Sequence, residues 1–198
     1  MIRFATQTTV VLLLLGTAGS AISFAPQTKN GTFQNRIYHH TATGTEIRLP
    51  AHWSILGDMD SSGGGEAVTV KDKSGQRYLV WMISSSTAAE GLPAALEHDA
   101  DYKVQQRAAH GVQLNARPGT LRKWHVEGGN AQALSVAFDI GQVARIEYDT
   151  WVRTSKTLVY FTAMVTCTTG DKTIGCSASD IRSIQDRSEI LVRATVVP

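Results

Sequence analysis

Alternation of apolar and polar residues along short segments predicts β-strands over much of this chain. Two of the segments, 78–83 and 158–166, are apolar on both faces, which is typical of strands covered on both sides. Pro50 ends the first strand because it has no N–H to donate to a sheet. The predicted strands are 45–49, 67–71, 78–83, 121–127, 133–140, 144–153 and 158–166.

Two other segments have the period of a helix. From Leu92 to Gly111 an apolar or small residue recurs every four positions, and Pro93 suits the first helical turn. Near the C-terminus, Ser179 is a predicted N-cap, and Asp180 is favourably placed at the positive end of the helix dipole. The chain therefore predicts one helix between the two groups of strands and one at its end.

The order of these elements predicts an α+β fold. Short turns join the last four strands, so we expect them to pair as antiparallel neighbours. The segment 58–66 is rich in Ser and Gly and is interpreted as a hairpin connection. Before it, Trp53 and Ile55 are predicted core residues. We expect a single-domain α/β/α sandwich with a mainly antiparallel sheet of about six to seven strands, covered by helices.

The N-terminus has the pattern of a secretory signal peptide. Arg3 precedes an apolar run and then small residues, which predicts a signal peptide over 1–21. Residues 22–44 show neither the two-residue period of a strand nor the 3.6-residue period of a helix, and they are interpreted as a flexible leader. This leaves 45–198 as the domain. We therefore expect a secreted or periplasmic protein, soluble after cleavage and without a membrane span.

Composition narrows the function further. The chain has 19 Lys and Arg against 17 Asp and Glu, with no run of like charge, so nucleic-acid binding is disfavoured. Cys167 and Cys176 are the only cysteines, and in an oxidising compartment they predict one local disulfide rather than a redox or metal site. No cofactor is expected.

A charged and aromatic group on the last strands is the candidate interaction surface, since Trp and Arg are enriched where proteins bind one another. The alternative is structural: the opposite charges pair with one another across the sheet or form ion pairs with a helix. The candidate residues are Arg122, Lys123, Trp124, His125, Arg145, Glu147, Trp151 and Arg153.

Histidines offer two other hypotheses. His39, His40 and His52 flank the first strand, but adjacent histidines point apart in an extended chain and no metal-ligand spacing accompanies them, so surface histidines are favoured over a metal site. An enzyme would most plausibly combine His125 with Glu147 or a neighbouring carboxylate, Asp149. No recognisable catalytic motif supports a hydrolase.

Three stretches of local sequence resemble the PsbP-like family of exported α/β/α sandwich proteins, over about residues 44–195. They are Glu46-Ile47-Arg48-Leu49-Pro50 with Trp53, the strand Lys156-Thr157-Leu158-Val159-Tyr160-Phe161-Thr162-Ala163, and Asp180-Ile181 with Ile184. The mid-chain helix also agrees. The resemblance implies a fold whose members serve as accessory or interaction subunits, and it carries over no functional residues.

These observations favour an exported, non-enzymatic accessory or binding protein of the cell envelope that acts through interaction with an unidentified protein partner. Two alternatives stay open. One is a periplasmic protein that binds a metal or a small ligand, for example between the sheet and a helix. The other is an uncharacterised hydrolase.

Overall fold

The computed structural model describes residues 30–60, 66–85, 91–126, 130–140, 145–166 and 176–198. This part of the chain forms two helices, α1 (Leu92–Ala109) and α2 (Ala178–Arg193). Its strands are β1 (Gly31–Gln34), β2 (Ile37–His40), β3 (Glu46–Arg48), β4 (Ser54–Asp60), β5 (Glu66–Lys71), β6 (Arg77–Ser84), β7 (Leu114–Ala116), β8 (Arg122–His125), β9 (Gln132–Ile140), β10 (Arg145–Arg153), β11 (Thr157–Thr166) and β12 (Thr195–Val196).

The strands form one large and one small sheet. The large sheet has the order β4-β5-β6-β11-β10-β9, and both β7 and β8 pair with the far side of β9. The small sheet has the order β1-β2-β3-β12, and every strand pair in both sheets is antiparallel. The α+β class and the mainly antiparallel sheet are confirmed, but the large sheet has eight strands rather than six to seven.

Two predictions about the first third of the chain are wrong. Residues 31–40, assigned to a flexible leader, form the β1–β2 hairpin, whose turn at Asn35 and Arg36 has positive φ angles of 51° and 66°. Such a turn suits a hairpin, but it lacks the glycine that usually reveals one. The segment 58–66, interpreted as a connection, is partly strand, since β4 continues to Asp60.

The two faces of the large sheet pack against different elements. On one face, Ile184 and Leu191 of α2 join a buried cluster with Ile146 and Tyr148 of β10 and with residues of the small sheet. On the other face, Leu96 of α1 joins a second cluster of buried residues from β9, β10 and β11. Alternate residues of one strand point to opposite faces, so β10 contributes to both clusters.

Helix α2 begins two residues earlier than predicted. The N-cap is Ser177 instead of Ser179: its hydroxyl accepts from the Asp180 N–H at 3.2 Å, and the Asp180 carboxylate accepts from the Ser177 N–H at 3.1 Å. This reciprocal pair is a capping box. Within the described residues, neither α1 nor α2 combines the length and the apolar composition that a membrane-spanning helix needs.

The prediction that two strands are covered on both faces fails in part. Along β6 the residues alternate between buried and half-exposed, with Leu79, Trp81 and Ile83 half-exposed on the same face. The corresponding face of β11 is buried at Leu158 and Tyr160 and opens further along the strand. An apolar pattern shows that residues favour burial, but the helix on this face packs mainly against β7, β9 and β10.

The β5–β6 turn is built on a buried aspartate. One oxygen of Asp72 accepts from the N–H groups of Ser74 and Gln76 at 2.8 and 3.0 Å, and the other accepts from the Tyr78 hydroxyl at 3.0 Å. Arg187 of α2 lies 3.5 Å from the same carboxylate. Burial tends to raise the pKa of Asp72, but the hydrogen bonds together outweigh it and hold the pKa below its usual value.

Replacing Asp72 with Ala should lower the free energy of unfolding by about 2–4 kcal/mol, because several donors lose their acceptor. Since the folded-state pKa is depressed, the stabilisation by Asp72 is present above about pH 4 and declines as the pH falls. Urea denaturation at pH 7 and pH 3 measures both effects. Asp186→Ala, at an exposed aspartate on α2, is the control and should change little. Equal losses in the two variants would contradict the assigned role.

The predicted disulfide remains a prediction. Cys176 is buried at the start of the C-terminal segment, and Cys167 lies outside the described residues. We expect mass spectrometry of the alkylated protein to find no reactive thiol before reduction and two after it. Reduction should lower the free energy of unfolding by roughly 2–3 kcal/mol, because the bond closes a short loop. Two alkylatable thiols in the unreduced secreted protein would contradict the prediction.

Candidate functional site

Four of the eight candidate residues form strand β8 at an edge of the large sheet. Arg122, Lys123 and His125 are exposed, and Trp124 is half-buried. Each faces a residue of β9, from Arg122 opposite Ser135 to His125 opposite Gln132. No other strand of the described residues pairs with β8, so its outer edge is open as far as this part of the chain is concerned.

Both basic residues of β8 are bound to a helix. Lys123 forms an ion pair with Glu97 of α1, and Arg122 lies 3.2 Å from Glu189 of α2. Since neighbouring residues of a strand point to opposite faces, one cation reaches each helix. The edge is therefore attached to the helices on both sides of the sheet.

Trp124 lies beneath two guanidinium groups. The Arg122 guanidinium is 5.2 Å from the ring centroid, and that of Arg193 at the end of α2 is 6.0 Å away. Both distances permit a cation–π interaction. The ring also packs against the cluster that includes α2 residues, so Trp124 is an anchor of the edge with a partly accessible surface.

The other four candidate residues do not extend this surface. Arg145, at the start of β10, is exposed. Glu147, Trp151 and Arg153 are only 2%, 2% and 5% exposed, because their face of β10 lies beneath α1. The expected single surface is therefore not formed: the residues of β8 and Arg145 reach the surface, and the other three are buried. For Glu147 and Arg153 the structural alternative holds, since both form ion pairs with a helix.

These ion pairs belong to what we term the α1 ion cluster, which comprises Asp99, Lys103, Arg107, Glu147, Asp149 and Arg153. Lys103 Nζ lies 2.8 Å from Glu147 Oε1, and Arg107 Nη2 lies 2.9 Å from Glu147 Oε2. Arg153 Nη1 is 2.6 Å from Asp99 Oδ2, and its other nitrogen donates to the Ser85 hydroxyl at 3.1 Å. The cluster joins α1 to the centre of the sheet.

Asp149 is the exceptional member of the α1 ion cluster. The residue is 0% exposed and forms none of the direct ion pairs described above. Burial raises its pKa to about 7, and the negative charge of Glu147 adds to this effect. The positive charge of Lys103 and hydrogen bonding from the side chains of Thr162 and Tyr160 oppose it. A substantial fraction of Asp149 is therefore protonated near neutral pH.

A cleft opens beside this cluster, between α1 and the sheet. It has a volume of about 400 Å³, and Trp151 stacks on Tyr160 with ring centroids 5.2 Å apart. Lys103 donates to the Tyr160 hydroxyl at 2.6 Å. The cleft is lined by Trp81, Ile83, Asp99, Tyr102, Lys103, Gln106, Trp151, Leu158 and Tyr160.

The strand register separates the proposed catalytic histidine from its carboxylates. His125 lies opposite Gln132, and Gln132 lies opposite Arg153. Counted from Arg153, Asp149 and Glu147 are four and six residues further along β10. At the usual rise of a strand, this places them about 13 and 20 Å along the strand from Arg153. The hydrolase hypothesis required His125 to lie beside one of these carboxylates, and the structure keeps it apart from both.

The N-terminal histidines are also separated. His40 is buried, with Nδ1 2.7 Å from the Thr43 hydroxyl and Nε2 bound to Glu66. His39 points outward, 3.8 Å from Glu46, and His52 is exposed. No group of three or more His, Cys, Asp or Glu residues in the described segments is arranged to hold a metal ion.

Sequence reasoning did not include the α1 members of the ion cluster. Asp99, Lys103 and Arg107 recur every four residues and therefore share one face of the helix. This charged stripe lies beside the apolar stripe from which the helix was predicted. The charged residues of the helix recur every four positions and those of β10 every two, and these two patterns together were the signal that could have predicted ion pairs between the helix and the strand.

Comparison with solved structures supports the fold. The solution structure of cyanobacterial PsbP (CyanoP) from Synechocystis sp. PCC 6803 aligns with a TM-score of 0.54 and 15% identity, over 93% of this chain and 99% of that one. The chain thus has a PsbP-like fold. LpqN, involved in cell envelope biogenesis of Mycobacterium tuberculosis, aligns with a TM-score of 0.44 and 14% identity, over 82% of this chain and 90% of that one. At this TM-score the similarity carries no argument about the present chain.

Comparisons of sequence add no relative. No protein-family model matches the chain, and no curated protein matches it either. The similarity to CyanoP shows the fold alone, because the two sequences share so few residues. The function must therefore be argued from the sites of this chain.

Replacing Asp149 with Asn should change how stability depends on pH. An aspartate that titrates near pH 4 when unfolded and near pH 7 when folded destabilises the folded state increasingly as the pH rises between these values. The free energy of unfolding of Asp149→Asn, relative to that of wild type, should therefore rise by on the order of 2–4 kcal/mol between pH 4 and pH 8. Urea denaturation at several pH values measures this, with Asp186→Asn as control. Parallel curves for wild type and Asp149→Asn would contradict the assignment.

Proposed function

We propose that this chain is an exported, non-enzymatic accessory protein of the cell envelope that binds a protein partner through the β8 edge. The observation that carries the proposal is this edge: an open strand with Arg122, Lys123 and His125 exposed, next to the half-buried Trp124. Leu121, immediately before the strand, is 59% exposed. Aromatic and arginine side chains beside an apolar residue are typical of binding hot spots.

An open edge suggests how a partner would bind. An extended segment of another protein can add to such an edge through backbone hydrogen bonds, while side chains on alternate positions give specificity. The ion pairs from β8 to α1 and α2 hold the edge in place before binding. A fixed edge loses less conformational entropy on association, which favours affinity.

The remaining parts of the proposal rest on the sequence. Export is supported by the signal-peptide pattern of residues 1–21, which lie outside the described residues. A non-enzymatic role is supported by the lack of a recognisable catalytic motif in the sequence. The PsbP-like fold is compatible with an accessory role and does not by itself specify one.

Site-specific photocrosslinking in the host tests the proposed edge. A benzoylphenylalanine at position 121 should crosslink one defined partner, whereas the same group at position 164 should not. Met164 is the matched control because it is similarly exposed but lies on β11.

The partner identified at position 121 should then bind less tightly to a variant that combines Leu121→Asp and His125→Glu. We expect a loss of about tenfold or more, since both changes alter exposed groups at the edge and together add two negative charges beside Arg122 and Lys123. Thermal denaturation checks that the variant folds. Equal crosslinking at positions 121 and 164, or unchanged affinity of a folded variant, would count against the β8 edge.

A further inference from the structure

The sheet face beneath α1 is only partly covered by the described part of the chain. Helix α1 packs mainly against β7, β9 and β10, and the next strands, β11 and β6, lie beyond it. There β6 presents Leu79, Trp81 and Ile83, which are half-exposed. Apolar side chains placed together at a concave, partly open position are typical of ligand sites.

The cleft at this boundary has the size and walls of a small-molecule site. Its volume of about 400 Å³ lies within the usual range for such pockets. The half-exposed Trp81 and Ile83 form its apolar walls, and the largely buried stacked pair of Trp151 and Tyr160 also lines it. A planar apolar body would be held here by contacts that need no rearrangement of the stacked pair.

One cation, Lys103, lines the cleft. Lys103 Nζ contacts Glu147 and the Tyr160 hydroxyl, so two of its three N–H groups have partners in these contacts. Asp99, which also lines the cleft, is bound by Arg153 at 2.6 Å. The acidic group is thus neutralised by a buried arginine, while the lysine retains a donor for a ligand.

The charge balance of the α1 ion cluster points the same way. Three cations, Lys103, Arg107 and Arg153, face the carboxylates of Asp99 and Glu147. Lys103 and Arg107 share the single carboxylate of Glu147, so the ion pairs of the cluster join three cations to two carboxylates. Burial raises the pKa of the third carboxyl, that of Asp149, which adds to the positive balance, and an anion at Lys103 would offset it.

We propose that the cleft between α1 and β6–β11 binds a small organic anion with a planar apolar body, such as an aromatic carboxylate. Its ring lies against Trp81 and Tyr160, and its carboxylate accepts a hydrogen bond from Lys103. This site is separate from the β8 edge, so it adds a ligand-binding function to the proposed protein interaction and does not depend on it.

Three probes with the same ring test the class of ligand: 2-naphthoate, 2-naphthalenemethanol and 2-naphthylmethylammonium. Isothermal titration calorimetry of the whole chain at pH 6.5 measures each Kd. We expect 2-naphthoate to bind at least about tenfold more tightly than the alcohol, and the ammonium probe to bind most weakly. Equal or tighter binding of the alcohol or the ammonium probe, or no saturable binding of 2-naphthoate, would overturn the proposal.

Two variants locate the site. Trp81→Ala removes an apolar wall and should weaken 2-naphthoate and the alcohol alike, by about tenfold. Lys103→Met removes the charge and keeps an apolar stem, so it should weaken 2-naphthoate by about tenfold and leave the alcohol nearly unchanged. Lys73→Met, at an exposed lysine in the β5–β6 turn, is the matched control and should alter neither.

The two variants also separate a binding role from a structural one. Lys103 contributes to the ion pairs of α1, so its variant is compared by thermal denaturation and by amide NMR spectra. Trp81 takes no part in those ion pairs and tests the same cleft independently. An unchanged Kd for 2-naphthoate in Trp81→Ala, or equal losses for both probes in Lys103→Met, would overturn the proposal.

Discussion

Glu147 is enclosed between β10 and α1, and its two carboxylate oxygens are held by cations from successive turns of the same helix. The position and rotation of α1 on the sheet depend on this arrangement. An isolated buried carboxylate would be strongly unfavourable, so the helix must present Lys103 and Arg107 to it. The same rotation directs Asp99 to Arg153 and Leu96 to the apolar residues of β9. Charge pairing thus determines which part of the sheet α1 covers and where the adjacent cleft opens.

The two proposed sites follow from the limits of that cover. Helix α1 extends over β9 and β10, and on one side it reaches the β8 edge, where Glu97 binds Lys123. On the other side the helix does not cover β6, and the apolar residues on that face of β6 form a wall of the cleft. One site therefore presents the edge of the sheet and the other presents its face. They are chemically different, because the edge offers an open strand and the cleft offers aromatic surfaces and one cation.

The comparison with CyanoP shows why the fold cannot supply the function. Almost the whole of that chain aligns with this one, yet only 15% of the residues are identical. The conserved feature is the arrangement of strands and helices, which many sequences can satisfy with apolar residues in the correct period. The α1 ion cluster, the stacked Trp151 and Tyr160, and the β8 edge are properties of particular side chains. Any function argued for this chain rests on them.

Local sequence determined the class of the fold and most of its elements, because the periods of apolar residues report which face of a strand or helix is buried. It placed α1, the meander from β9 to β11 and the C-terminal helix, and it identified the charged residues of β10. It missed the β1–β2 hairpin and strand β4, since their turns and polar positions carry weak local signals. Whether Glu147 and Arg153 face solvent or a helix could not be read locally, because an alternating charged strand looks the same in both cases. Only tertiary packing decided it, when the ion pairs positioned α1 over β10 and left the apolar face of β6 partly open.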